Sequence, residues 1–263
     1  MNSRHARQSF LGADIVTRTD HARVAIIGLC GGGSHIAQQL AHIGIGNFEL
    51  VDFDNTDITN SNRMVGLSHT QAQAQAPKVD VIAQRIREIN PLARIRTHSR
   101  RWSEVQDDLK HCTTIIACVD RYDEREALER FTRRYLIPYL DVGMDVHETA
   151  DGFLIAGQVI ASLPGHPCLR CFGFITDERL AAEAAQYGHA GGNPQVVWPN
   201  GVLASTAVGK FMQLLSPWSK RMSLALYTEY DGNRDLLRPS HKLAALTGVC
   251  PHFSELDVGD VRW

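Results

Sequence analysis

A glycine cluster between an apolar run and a helix-like segment constrains the fold of this chain more than any other feature. The apolar run covers residues 24–29, and the helix-like segment covers residues 34–43. A second apolar run follows and ends in two acids, Asp52 and Asp54. A strand, a glycine turn, a helix and a strand ending in an acid form a half-site that holds adenosine phosphates. The glycines of this turn are Gly28, Gly31, Gly32 and Gly33.

Apolar runs and helix-like segments continue to alternate beyond this unit, which predicts an α/β fold of the Rossmann-like, doubly wound type with a mostly parallel sheet. In the C-terminal half the alternation changes to that of antiparallel strands, which would extend the sheet. The predicted helices cover 78–89, 105–109, 123–135, 177–186 and 200–215. The predicted strands cover 93–97, 113–119, 138–142, 152–162, 223–230 and 235–238.

Composition is consistent with one globular unit. The chain has 263 residues, 44% of them hydrophobic, and a formal net charge of −2. We expect a single domain over 1–263, with an N-terminal arm (1–22), a nucleotide-binding half (23–143) and a C-terminal half (144–263). No apolar run reaches the roughly 20 residues of a membrane span. The polar N-terminus and six cysteines indicate a reducing, cytoplasmic setting. The near-neutral charge gives no reason to expect a nucleic-acid partner.

Charged residues beyond the second strand favour ATP over a dinucleotide. Asn60, Arg63 and Lys78 follow that strand, and Asp120 ends the strand at 113–119. Ligands of such sheets lie beyond the carboxyl ends of the strands, so these groups should meet the glycine turn there. A triphosphate requires several cations and a metal ion, since charge builds on phosphorus during transfer. This mixture of residues therefore favours an ATP site with a metal ion.

Several of these motifs together resemble the ThiF/MoeB/HesA family of adenylating enzymes, which are related to ubiquitin-activating enzymes. The resemblance runs from about residue 4 to Cys171 and resumes weakly over 200–252. The matching segments are Arg7-Gln8, the glycine turn, Asp52-Phe53-Asp54, Asn60-x-x-Arg63, Pro77-Lys78-Val79, Cys118-Val119-Asp120 and Cys168-x-x-Cys171.

The resemblance implies ATP-dependent adenylation of the C-terminal glycine of a ubiquitin-like or sulfur-carrier protein, with release of pyrophosphate. It implies that Asp52 holds the ribose, that Arg63 and Lys78 neutralise the phosphates and that Asp120 positions Mg²⁺. Arg7 would enter the nucleotide site of a second subunit, which implies a homodimer. The pathway would be sulfur transfer or protein conjugation, the latter with a conjugating enzyme as acceptor. The strip Gly188 to Asn193 could lie where the partner's tail enters.

Cys30 departs from the family pattern, which has glycine at that position. It is either a packing substitution or a thiol activated by the helix N-terminus, and packing is the favoured interpretation. A cysteine also indicates a backbone φ below zero at this position.

The zinc motif departs from the pattern as well. Cys168 and Cys171 match its first half and Cys250 its second, but Phe253 replaces the last cysteine. His252 is the preferred fourth ligand, because imidazole and thiolates both suit tetrahedral zinc. His166 is a second candidate, and bare thiols without metal are a third possibility.

No cysteine occurs between residues 172 and 249, where family members that form a thioester often carry one. Either the chain stops at the acyl-adenylate, another protein supplies the thiol, or a cysteine such as Cys30 or Cys250 does. The rival functions are adenylation of a tRNA base, for which an arginine cluster at 94–101 could hold RNA, an NAD-dependent oxidoreductase, and a scaffold without activity.

The sequence also gives predictions for three further residues. Arg125 either joins the site or pairs with Glu124 or Asp123 on the surface. His35 is expected to face solvent, and Asn200 to cap the helix that follows it.

Overall fold

One mixed sheet forms the centre of the protein. The chain is described by a computed structural model over residues 3–185, 194–220, 223–245, 250–253 and 258–259. Within these residues the sheet has eight strands in the order β3-β2-β1-β4-β5-β6-β7-β8. The strands are β1 Arg23–Ile27, β2 Asn47–Val51, β3 Arg94–His98, β4 Thr114–Ala117, β5 Tyr139–Thr149, β6 Gly152–Ser162, β7 Tyr227–Asp231 and β8 Leu236–Pro239.

Helices cover both faces of this sheet. On one face α2, α4 and α8 pack through Leu40, Ile82 and Phe211, among other buried residues. On the other face α5 and α6 contribute Leu109 and Leu128 to a second core. The described α-helices are α1 Ile15–His21, α2 Gly31–Ile43, α3 His69–Gln73, α4 Lys78–Ile89, α5 Gln106–Leu109, α6 Tyr122–Arg134, α7 Asp177–Ala185 and α8 Val197–Leu215. Short 3-10 helices cover Ser3–Leu11, Ile58–Asn62, Trp102–Glu104 and His241–Ala245.

Strand direction confirms the predicted fold class. Strands β1 to β5 pair in parallel, whereas β6, β7 and β8 extend the sheet antiparallel. The order of the strands reverses between β1 and β4, because β2 lies on one side of β1 and β4 on the other. The carboxyl ends of β1 and β4 therefore form the crevice in which open α/β sheets bind their ligands.

Element boundaries differ from the prediction at several places, as at β7, which begins at Tyr227 and not at residue 223. Strand β5 does not end at residue 142 but continues to Thr149, because its second half pairs with β6 in a long hairpin. Helix α8 begins at Val197, so Asn200 lies inside the first turn and does not cap the helix; its Nδ2 donates to the carbonyl of Val196 at 2.9 Å. The predicted hairpin of β7 and β8 is present. None of the described helices is both long and apolar enough to cross a membrane.

Candidate nucleotide site and metal centre

The glycine turn lies between β1 and α2, directly against the loop after β4. Gly28 has a φ of +83°, and a Cβ there would stand 2.5 Å from the carbonyl oxygen of Cys118. Gly33 is packed even more closely, since a Cβ would stand 1.9 Å from the carbonyl oxygen of Gly28. Helix α2 starts at Gly31, and its first-turn N–H groups and dipole favour an anion at this end. The turn thus has the geometry of a phosphate-binding element.

Asp52 links this turn to the end of β2. Its Oδ2 accepts the N–H of Leu29 at 2.8 Å, and its Oδ1 accepts the N–H of Asp54 at 2.9 Å. Burial raises the pKa of Asp52 above its usual range, although Lys78 and these two N–H groups oppose the shift. The carboxylate is thereby fixed at the crevice, where its remaining lone pairs can accept ribose hydroxyls.

Lys78 reaches the same point from the start of α4. Its Nζ lies 2.8 Å from Asp54 Oδ2 and 3.9 Å from Asp52 Oδ1, and the residue is only 7% exposed. Burial opposes the charged amine, but Asp52 and Asp54 outweigh it and raise the pKa of Lys78. Lys78 is therefore favoured in its charged form beside the glycine turn.

Arg63 provides a second cation. Its Nη1 donates to the carbonyl of Thr59 at 2.8 Å and to Asn62 Oδ1 at 3.0 Å. It also lies against the Cys30 thiol, whose pKa rises through burial although Arg63 and Lys78 pull it down. The φ of Cys30 is −82°, as the substitution for glycine indicated. The raised pKa agrees with packing as the role of this thiol.

Asn60 is engaged in local structure. Its Oδ1 accepts the N–H of Asp57, whose carboxylate accepts the N–H of Thr59, and the two form a capping box for the 3-10 helix Ile58–Asn62. This box holds the segment that carries Arg63. A direct contact of Asn60 with a nucleotide stays a prediction.

Asp120 lies exposed in the turn between β4 and α6, where the winding of the sheet reverses. The preceding Cys118 donates its N–H to the carbonyl of Ile27 at 2.8 Å, and its Sγ would stand 3.0 Å from a Cβ on Gly32. The structure therefore brings the Asp120 turn alongside the glycine turn, and a role of Asp120 in positioning a metal ion stays a prediction.

Arg125 is not a surface residue, which corrects the expectation of a pair with Glu124 or Asp123. It is buried on α6 and forms an ion pair with Asp141 of β5, which is fully buried. The Tyr139 hydroxyl donates to the other oxygen of Asp141 at 3.0 Å. Burial raises the pKa of Asp141, and Arg125 opposes this shift. The pair ties α6 to the strand beside β4.

Of the arginine cluster, Arg101 lies over the ring of Phe53, between Asp52 and Asp54, at 4.8 Å, whereas Arg94 and Arg96 pair with acids elsewhere. Arg7 is exposed on the 3-10 helix Ser3–Leu11, and its role in a second subunit stays a prediction. Arg94 pairs with Asp20 at 3.0 Å, and Arg96 pairs with Asp108 at 3.1 Å. These acidic partners occupy Arg94 and Arg96, so fewer arginines of the 94–101 segment are available to hold RNA.

Four predicted metal ligands converge at a second place, beyond the ends of β6 and α6. The ligand atoms of Cys168, Cys171, Cys250 and His252 all lie within 4.8 Å of one another. The Sγ of Cys171 is 3.6 Å from the Sγ atoms of Cys168 and Cys250, and the Nδ1 of His252 is 3.3 Å from Cys168 and 3.4 Å from Cys171. Tetrahedral zinc separates such atoms by roughly 3.5–3.8 Å. The cluster therefore fits zinc, and His166 is not among the grouped ligands.

A buried polar network on α6 holds the first half of this cluster, and sequence reasoning missed it. Glu129 accepts the N–H of Leu169 at 2.9 Å, and Arg133 donates to the carbonyl of Pro167 at 3.0 Å. The hydroxyl of Ser162 bridges Glu129 and Arg133. One sequence signal existed: residues 125, 129 and 133 recur every four positions on the helix face that also carries buried Leu128.

The start of α8 also borders the nucleotide crevice. Asn200 lies against Gly31, since a Cβ on this glycine would stand 2.6 Å from Asn200 Nδ2. Asn62 Nδ2 donates to the carbonyl of Gln195 at 3.0 Å. His35 does not face solvent as expected but is partly buried beside Gly201 of α8. The strip from Gly188 to Asn193 lies outside the described residues.

A phosphate-binding glycine turn, a fixed carboxylate and two cations at the reversal point of a doubly wound sheet define a nucleotide-binding α/β protein. The three cysteines and one histidine add a zinc-type knuckle to that class. The chain belongs to the ThiF family, whose family model matches residues 2–251. The expected family is thereby confirmed.

Named relatives of the chain include an adenylyltransferase and an activating enzyme. Molybdopterin-synthase adenylyltransferase of Haemophilus influenzae is 30% identical over 121 residues, which cover 45% of this chain and 49% of that protein. Ubiquitin-like modifier-activating enzyme 5 of Drosophila virilis is 31% identical over 163 residues, which cover 56% of this chain and 38% of that protein. The chain thus spans about half, or less, of the length of these relatives.

Solved structures share the fold at low sequence identity. The E. coli MccB crystal structure with succinimide matches with a TM-score of 0.75 and 18% identity, covering 98% of this chain and 75% of that one. The E. coli MccB structure with ATP matches with a TM-score of 0.72, also at 18% identity, over 91% of this chain and 71% of that one. PaaA matches with a TM-score of 0.69 and 19% identity, over 89% of this chain and 80% of that one.

Proposed function

We propose that this protein is an ATP-dependent adenylyltransferase that activates the C-terminal glycine of a ubiquitin-like or sulfur-carrier protein. The observation that carries the proposal is the meeting of Asp52, Arg63 and Lys78 beside the glycine turn in a chain of the ThiF family. Two cations and a helix N-terminus at one point suit a triphosphate better than the less charged nicotinamide dinucleotides.

The proposed reaction joins the tail carboxylate to the α-phosphate. A carboxylate oxygen of the terminal glycine attacks the α-phosphorus, the bond to the β-phosphate oxygen breaks, and pyrophosphate leaves with that electron pair. The product is an acyl-adenylate. No side chain has to act as a nucleophile, so catalysis rests on positioning and charge neutralisation.

Most of the predicted site residues have a role in this proposal. The N–H groups from Gly31 to Gly33 and the dipole of α2 hold phosphate oxygens, and Asp52 holds the ribose. Arg63 and Lys78 neutralise the negative charge on the phosphates. Asp120 is exposed beside the turn and is a suitable oxygen ligand for Mg²⁺. A bound Mg²⁺ would supply the further positive charge that pyrophosphate needs in order to leave.

Zinc is proposed for the knuckle because three thiols and an imidazole nitrogen stand at tetrahedral spacing. Its proposed role is structural, since all four ligand positions are filled by protein and no open position remains for a substrate. A homodimer with Arg7 completing the partner's site, and a separate protein that accepts the activated tail, belong to the same proposal.

Pyrophosphate exchange into ATP tests the proposed reaction. The purified chain is incubated with labelled pyrophosphate, ATP, Mg²⁺ and, in turn, candidate ubiquitin-like or sulfur-carrier proteins that end in glycine. We expect exchange that requires the terminal glycine and that is lost on deletion of that residue from the carrier. Asp120→Ala should abolish it, and Asp151→Ala, in the β5–β6 turn, serves as a matched control. Exchange dependent on tRNA, or reduction of NAD, would replace the proposal.

Metal analysis tests the knuckle. We expect about one zinc per chain in the wild type and none in Cys250→Ser or His252→Ala. His166→Ala should retain zinc, because the His166 ring contacts the carbonyl of Pro164 and does not join the cluster. Full zinc in the His252 variant would remove that histidine from the ligand set.

A further inference from the structure

The turn that carries Asp120 is held on one side by the sheet. Two residues before Asp120, the N–H of Cys118 donates to the carbonyl of Ile27 at 2.8 Å. This bond belongs to the pairing of β4 with β1, so it is part of the most buried region of the protein. The N-terminal side of the turn is therefore rigid.

The other side of the turn leads into α6, where the carboxylate of Asp123 accepts the N–H of Glu124 at 2.7 Å but the N-cap residue gives no cap. The residue at its N-cap position is Arg121, and its side chain makes no capping bond; it pairs instead with Asp123. The first N–H groups of a helix have no partner within the helix and require one from elsewhere. For the N–H groups of Tyr122 and Asp123 the partner comes from a distant part of the chain.

Glu183 of α7 supplies that partner. Its Oε1 accepts the N–H of Tyr122 at 2.8 Å, and its Oε2 accepts the N–H of Asp123 at 3.1 Å. Tyr122 stands two residues after Asp120, as Cys118 stands two residues before it. The metal-positioning turn is thus fixed at both ends, once by the sheet and once by a carboxylate that lies 60 residues away in sequence.

Polar contacts help to hold helix α7 in its place. None of its residues is buried. Arg179 lies over the rings of Tyr122 and Phe174 at 5.5 and 5.8 Å, and Arg170 of the knuckle pairs with Asp177 at 2.8 Å. Helix α7 packs the partly buried Leu180 against the second core but buries no side chain fully, so these polar contacts and the Glu183 cap contribute to holding it against α6.

We infer that Glu183 is a positioning residue for Asp120, acting through the N-terminus of α6. The inference rests on the proposed function, because it assumes that Asp120 positions Mg²⁺ on the nucleotide. It adds a residue that touches neither nucleotide nor metal and that lies on a helix outside the nucleotide-binding half. Loss of the Glu183 carboxylate leaves two N–H groups uncapped and lets the Asp120 turn move.

Hydrogen exchange tests the structural link without any reaction. In Glu183→Ala, the amides of Tyr122 and Asp123 should exchange roughly tenfold faster than in the wild type, as expected for loss of one helix cap. Glu183→Gln keeps one accepting oxygen and should give an intermediate rate. Glu178→Gln on the same helix is the matched control and should leave both amides unchanged.

Calorimetry of nucleotide binding tests the positioning itself. We expect Mg²⁺ to increase the affinity of the wild type for ATP. In Glu183→Ala this Mg²⁺-dependent increase in affinity should be roughly three- to tenfold smaller. ATP binding without metal should stay within twofold. In pyrophosphate exchange, the same variant should lower kcat with little change in KM for ATP.

The outcomes separate this inference from the proposed function. Faster amide exchange with an unchanged metal-dependent gain would make Glu183 a structural cap only and would overturn the inference. Unchanged hydrogen-exchange rates at the amides of Tyr122 and Asp123 would overturn the inference as well. Pyrophosphate exchange in the wild type would still support adenylation. If no carrier supports pyrophosphate exchange but Glu183→Ala still weakens the effect of Mg²⁺ on ATP affinity, the adenylation proposal would be overturned. The role of Glu183 would then stand. Failure of the wild type to bind ATP would overturn both.

Discussion

At the scale of single residues, Lys78 has the clearest electrostatic role in the nucleotide site. It is buried, and two aspartates outweigh the cost of its burial and keep it charged. In the absence of nucleotide these aspartates balance the lysine, so the site holds its cation in place before ATP arrives. This arrangement is preorganised, because the charge does not have to be gathered when phosphate binds.

Lys78→Met should weaken ATP binding roughly 10- to 100-fold, because a charged hydrogen bond to phosphate is lost. The variant also leaves Asp52 without its counter-charge, so thermal unfolding must be measured alongside ATP affinity. Lys110→Met, which removes a lysine paired with the exposed Asp107, is the control and should bind ATP normally. An affinity within twofold of the wild type for Lys78→Met would exclude this lysine from phosphate binding.

Cys30 should behave as an unreactive thiol. Burial raises its pKa, and the thiolate is the reactive form, so only a small fraction is reactive near pH 7.4. We expect iodoacetamide to modify Cys30 more slowly than a free cysteine, at a rate that still rises above pH 9, as followed by mass spectrometry. A rate that levels off below pH 8 would point to an activated thiol. Cys30→Ala should retain ATP affinity within about twofold.

At the scale of elements, α8 contains an ionisable residue that the nucleotide site does not use. Lys210 is 5% exposed, and its Nζ donates to the carbonyl of Ala225. Burial lowers its pKa to about 8. The folded state therefore releases this proton at lower pH than the unfolded chain does, which makes stability depend on pH in a defined direction.

The free energy of unfolding should rise with pH between about 8 and the ordinary lysine value of 10.5, because the unfolded chain binds more protons in that range. The contribution of Lys210 to this rise is about 3 kcal/mol at most. It is absent below pH 8, where both states are protonated. Denaturant unfolding of the wild type and of Lys210→Met at pH 7.5, 9 and 10.5 measures it. If the free energy of unfolding changed with pH in the same way in both proteins, Lys210 would not have a lowered pKa in the folded state.

Helix α6 shows how one element serves two sites. Its first turn follows Asp120 and receives the Glu183 cap, and its later turns carry the buried Glu129 and Arg133 that hold the knuckle loop. Arg125 ties its middle to β5. A buried ion pair of this kind stabilises the fold little beyond its desolvation cost. Loss of one partner is strongly destabilising, however, so Arg125 and Asp141 have to remain paired.

At the scale of the whole molecule, the knuckle joins distant parts of the chain. Cys171 and Cys250 are 79 residues apart in sequence, and zinc between them would close a loop of that length. A cross-link that closes a long loop stabilises the folded state mainly by restricting the unfolded chain. The segment that it would retain carries α7, α8 and the β7–β8 hairpin.

Removal of zinc with a strong chelator should therefore lower the Tm of the wild type by several degrees, since metal that binds only the folded state adds directly to its stability. Differential scanning calorimetry measures the shift. Cys250→Ser should start from the lower Tm and show no further change on chelation. An equal loss of Tm in this variant would mean that the chelator acts elsewhere.

Much of the fold could be predicted from the sequence, because the features that set it are local. The glycine turn, the acid at the end of β2 and the apolar periodicity of α4 depend on neighbours within a few residues. Element ends were less predictable. The second half of β5 has no apolar run of its own and becomes a strand only because β6 pairs with it.

The sequence by itself determined the family, the parallel half of the sheet, the cations near the nucleotide turn and the candidate zinc ligands. Tertiary structure alone decided that His252 and not His166 joins the three cysteines, that Arg125 turns inward to Asp141, and that Glu183 caps α6. The physical reason is distance along the chain. Backbone turns and periodic patterns are fixed by adjacent residues, whereas the partner of a charged or metal-binding group is fixed by which remote segment the packed sheet brings beside it.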